Sequence, residues 1–109
     1  MIKQLPIQVT IELPALLAKL PKTERETLVR AGVHEAMRAR ALELKAERQQ
    51  AQAHVRHFEE EYGVDFARFE RELLPTLDSP QVHEDYNDWF FWQGVLTEKE
   101  QLLLELHPA

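Results

Sequence analysis

A chain of 109 residues is one domain's worth of protein, and 44% apolar residues, 29% charged residues and only 3 glycines predict a soluble, mainly helical fold. The absence of cysteine excludes disulfide staples, thiol catalysis and cysteine zinc sites. A net charge of −6 speaks against nucleic acid as a partner for the chain as a whole. The charge is unevenly spread. Residues 1–50 hold nine Lys/Arg against six Asp/Glu, whereas residues 51–109 hold four against thirteen. That asymmetry divides the chain into two parts, 1–50 and 51–109, with surfaces suited to different partners.

The opening stretch MIKQLPIQVTIELP is broken by polar residues and does not form the continuous apolar region of a signal peptide. No apolar run approaches the roughly 20 residues of a membrane span, so a cytoplasmic protein without membrane contact is expected. Residues 5–13 alternate: Leu5, Ile7, Val9, Ile11 and Leu13 on one side, Gln4, Gln8, Thr10 and Glu12 on the other. Period-two patterning with β-branched residues predicts a half-buried strand, the only one in the chain. A lone strand leaves its ladder unmade, so the pattern further predicts a homodimer paired through Ile7, Val9 and Ile11.

Pro14 opens a short helical turn over Ala15, Leu16, Leu17 and Leu20, and Pro21 ends it. Thr23 and Glu26 are spaced as a capping box. The helix after them reaches toward Tyr62, with Val29, Val33, Met37, Ala41, Leu44, Ala51, Val55, Phe58 and Tyr62 at mostly three- and four-residue steps and Arg48 interrupting. Gly32 is a candidate kink. Gly63 fits the position after a helix end, and Asp65 caps a short helix with Phe66, Phe69, Leu73 and Leu74 on one side. Pro75 closes that helix and begins a loop to about His83. A last helix is expected from about Glu84 to Leu106, with Glu84, Asp85 and Asp88 in its first turn where the helix dipole favours acid. The predicted fold is therefore mainly α: one N-terminal strand paired in a dimer, a short helix, a long helix and a C-terminal helical hairpin-like region.

The most informative local feature is the run Tyr86, Trp89, Phe90, Phe91, Trp92. These aromatics go round much of the helix, so a single core face cannot take them all. The expectation is that part of the cluster packs on Phe58, Phe66 and Phe69 and the remainder meets a partner. Catalytic arrangements are poor. His54, His57 and Glu61 share a helix face, but nothing in the sequence completes a metal site, and a histidine pair on a polar helix is usually solvated. Glu59–Glu60 and Glu84–Asp85 are adjacent in sequence and point apart. There is no glycine-rich phosphate loop, and Ser79, the only serine, has no evident base. No enzyme activity, metal or cofactor is expected.

Two resemblances follow. Over residues 3–44, a strand followed by two helices resembles the ribbon-helix-helix architecture of small DNA-binding proteins. That likeness implies Lys3, Gln8 and Thr10 at base edges and Thr23 and Arg25 near phosphates. Over residues 58–106, FEEEYGVDFARFERELL followed by EDYNDWFFWQGVLTEKEQLLLEL resembles the C-terminal part of short bacterial antitoxins, through a YGxxFxxF motif, an acidic loop and a DYxxW helix. The resemblance implies the antitoxin component of a type II toxin-antitoxin system. Such a protein would neutralise its toxin through Phe66, Phe69, Tyr86, Trp89, Phe90 and Trp92, and operator DNA is a possible further partner. The alternative is a structural or adaptor protein, a helical oligomer with no nucleic-acid role.

Overall fold

A computed structural model describes residues 6–106. Its elements are a 3-10 turn, Ala15–Lys19, then α1, Lys22–Tyr62, α2, Phe66–Arg68, continued by a π turn, Phe69–Leu73, and α3, Pro80–Leu106. The molecule divides into two units, one ending at Glu35 and the other starting at Ala36.

In the first unit the expected strand does not form. Residues 6–14 carry no regular secondary structure, no strand occurs among the described residues, and Ile7, Val9 and Ile11 are exposed. Among the described residues there is no second strand to complete a ladder, so the alternation builds no sheet there. The strand on which the predicted dimer through Ile7, Val9 and Ile11 rested is therefore not seen. Leu5 lies outside the described residues. The 3-10 turn ends where the Leu20 N–H donates to the Leu17 carbonyl at 3.1 Å.

The start of α1 also differs from the capping-box expectation. The helix begins at Lys22, and the first helical bond runs from the Arg25 N–H to the Pro21 carbonyl at 3.0 Å. Thr23 is therefore inside the first turn, where its carbonyl accepts the Thr27 hydroxyl at 2.9 Å. From there α1 is continuous for 41 residues, Gly32 included.

The second unit holds the core. Ala41, Leu44, Ala51, Val55 and Phe58 are the buried residues of α1. Val55 and Phe58 cluster with Trp89 near the start of α3, whereas Ala41 and Leu44 cluster with Leu103 near its end. The two helices are thus antiparallel in this unit. Gly63 reverses the chain between α1 and α2 at φ +71°, a left-handed conformation that side-chain-bearing residues resist. Asp65 caps α2 as expected, its carboxylate accepting the Arg68 N–H at 2.8 Å.

Beyond α2, the π turn lies within the expected short helix, and the structure departs from expectation only in the loop after Pro75. The π turn is held by the Leu74 N–H bonding the Phe69 carbonyl at 2.8 Å, and α3 starts at Pro80 rather than near Glu84. Pro80 suits a first helical position because its missing N–H is unneeded there. The Ser79 hydroxyl accepts the Val82 N–H at 3.2 Å and serves as the cap. The early start carries Asp85 out of the first turn, so its role is not the dipole contact predicted for it.

Gly94 lies in mid-helix, and a Cβ there would meet nothing within 4 Å. Gly94→Ala is expected to stabilise the protein by about 0.5–1 kcal/mol through helix propensity alone, read as a raised Tm. A lowered Tm would show that the position is packed.

Candidate protein-interaction surface

The aromatic cluster is divided by the helical period of α3. Trp89 points inward and is fully buried, with ring centroids 5.5 Å from Phe58, 5.4 Å from Phe66 and 5.0 Å from Phe69. Phe69 is also fully buried and lies 4.6 Å from Tyr62. These two rings are core and offer a partner no surface. Phe66, Tyr86 and Trp92 are half-buried at the core's edge. Phe66 stacks on Tyr86 at 5.7 Å, and Trp92 lies parallel to His54 at 3.9 Å. Phe90 and Phe91 face outward, 60% and 58% exposed.

The core edge is fixed by polar contacts. Buried Asp85 accepts the Tyr62 hydroxyl at 2.5 Å and the Gln81 amide at 2.9 Å. The Tyr86 hydroxyl donates to Glu70 at 2.7 Å. Asp85 and Tyr86 thus hold the start of α3 to α1 and to the π turn. At the other end of α3, Lys99 bridges Glu47 at 3.2 Å and Glu98 at 3.3 Å, and Arg40 binds the same Glu47 at 3.0 Å. Hydrogen bonding to Lys99, with the charges of Arg40 and Lys99, lowers the Glu47 pKa below the ordinary carboxylate value.

Burial first, and then the hydrogen bond to Asp85, hold the Tyr62 phenol well above its ordinary pKa. The folded state therefore favours the neutral phenol. The stability this contributes is intact below the ordinary tyrosine value of about 10 and is lost as pH rises beyond it. Tyr62→Phe is expected to flatten the alkaline fall in Tm between about pH 9 and about pH 11. An unchanged slope would contradict the Tyr62–Asp85 linkage.

Beside Phe90 lies a groove of about 560 Å³, lined by Phe66, Phe90, Gln93, Gly94, Thr97, Glu98 and Gln101. Its α3 members recur at positions 90, 94, 97 and 101, one helical face. None of Gly94, Thr97 and Gln101 was singled out by the sequence reading. The signal was the helical spacing of small and neutral residues beside an exposed Phe. Leu104, 71% exposed, continues the apolar character past the groove.

No protein-family model, no curated protein and no solved structure matches this chain.

The remaining sequence-predicted residues do not form one site. Gln8 and Thr10 are exposed on the irregular segment, and without a strand they are not presented as a base-reading ribbon. Lys3 lies outside the described residues. Arg25 donates to the Ala18 carbonyl at 3.5 Å, within the first unit. His54 is taken up by the stack on Trp92 and His57 pairs with Glu61 at 3.5 Å, so the histidines are engaged separately. Among the described residues no helix is long and apolar enough to cross a membrane.

Proposed function

We propose that this chain is an antitoxin-like, non-enzymatic cytoplasmic protein whose second unit holds a cognate toxin against the outward side of α3. One observation carries the reading: the core is closed by Trp89 and Phe69, yet Phe90 and Phe91 remain outside it, and Phe90 lines an open groove. Large aromatics left exposed next to a completed core cost solubility and are the side chains that dominate protein interfaces. The YGxxFxxF and DYxxW resemblance supports the same reading, and so does the charge. α3 carries six carboxylates and a single lysine, which suits a basic partner. The partner-facing residues are then Phe66, Tyr86, Phe90, Phe91 and Trp92, with Phe69 and Trp89 acting from the core. Base reading by Gln8 and Thr10 forms no part of the proposal.

Co-expression with the product of the neighbouring gene tests this reading. Co-purification through size exclusion is the expected result, and separate elution contradicts it.

A self-associating helical adaptor is the second reading, favoured by Leu28 and Val33, 47% and 54% exposed in the first unit. Light scattering separates the two. A stable higher oligomer formed without any partner would favour the adaptor.

A further inference from the structure

We propose that the groove along α3 takes the apolar face of a cationic amphipathic helix from a partner protein. This deepens the reading above and rests on it. The first argument is backbone chemistry. α3 satisfies its own N–H and C=O groups internally, so the groove presents no row of free donors and acceptors to which an extended peptide could add. A docking segment must satisfy its own backbone, and a helix does so.

The second argument is shape. Between Phe90 and Gln101 the groove follows α3 for roughly 16 Å at the helical rise, about three turns. Gly94 leaves open the space that a side chain would occupy, since a Cβ at that position meets nothing within 4 Å. Phe66 and Phe90 bound the groove at one end with apolar surface. Two or three side chains at helical spacing fit such a trough better than one compact ligand.

The third argument is charge. Glu98 lines the groove and is engaged by Lys99. The rest of α3 adds Glu84, Asp88, Glu100 and Glu105, with no other lysine or arginine between Pro80 and Leu106. A helix of net negative charge would be repelled by this acidic element, whereas Lys or Arg flanking the apolar knobs would meet Glu98 at the groove and the net negative charge of α3 around it.

The experiment uses the full chain, ¹⁵N-labelled, and two synthetic amphipathic peptides, one of leucine and lysine and the other of leucine and glutamate. The Leu/Lys peptide is expected to shift the amide signals of Gly94, Thr97 and Gln101, and the Leu/Glu peptide to leave them in place. Gly94→Trp, whose Cβ enters open space and whose ring fills the groove, should weaken the Leu/Lys peptide at least tenfold, while Gly94→Ala leaves its affinity unchanged. Matched far-UV circular dichroism shows that both variants fold. Equal binding of the two peptides, or full affinity in Gly94→Trp, overturns the proposal. The neighbouring gene's product distinguishes the two levels. If Gly94→Trp captures it as well as the parent, the groove assignment fails and the partner reading stands. If the parent itself does not capture it while the Leu/Lys peptide still binds, the partner reading fails and the chemistry of the groove stands.

Discussion

Replacing Trp89 by alanine is expected to cost about 3–5 kcal/mol of stability, the range for deleting a buried aromatic ring. The indole is fully buried and meets rings from three directions: Phe58 on α1, Phe66 on α2 and Phe69 in the π turn. No neighbour can fill its space without moving an element. A small domain has only about 5–15 kcal/mol in hand, so much of the second unit's helicity should be lost at moderate urea. Trp89→Phe is expected to cost distinctly less. A ring still occupies most of the site, and the buried indole N–H, which has no hydrogen-bond partner among the described residues, is removed. Urea unfolding followed by circular dichroism compares the two. A loss under about 1 kcal/mol for Trp89→Ala would contradict the fold as described.

The second large effect is on binding. Phe90→Ala removes an exposed ring whose nearest aromatic neighbours, Phe66 and Tyr86, lie 6.2 Å away. Stability should therefore change by less than about 1 kcal/mol. If Phe90 is a central contact, its truncation costs at least about 2 kcal/mol of binding energy, or roughly thirtyfold in Kd for the neighbouring gene's product. The pair of variants separates two functions of adjacent residues. Trp89→Ala loses the fold and binding together, whereas Phe90→Ala loses binding alone. Calorimetric titration reads the affinity, and an unaltered Kd for Phe90→Ala would move the interface off this face.

How much of this was legible in the sequence depends on where each signal lives. The long helix was readable because its apolar seam persists from Val29 to Tyr62, and Gly63 and Asp65 mark its end by local backbone chemistry that needs no partner. The start of α3 was misplaced because TLDSP reads as loop, although Ser79 and Pro80 are also a cap and first helical residue. The strand expected over residues 5–13 is not seen at residues 6–13 for a different reason. Alternation describes which side chains share a face, but a strand also needs a neighbour for its hydrogen bonds, and the described residues supply none. The division of the aromatics into buried Trp89 and exposed Phe90 depends on the rotation of α3 against α1. The bare run YNDWFFW does not state that rotation. The groove was less legible still, since a glycine and a threonine announce nothing until the structure sets them beside Phe66 and Phe90.

The central claim, that the exposed side of α3 neutralises a partner, is tested most directly by growth. Host cells expressing the neighbouring gene's product alone should arrest, cells co-expressing this chain should grow, and cells co-expressing Phe90→Ala at the same level should arrest again. A product that is harmless by itself and does not co-purify with the chain would contradict the account.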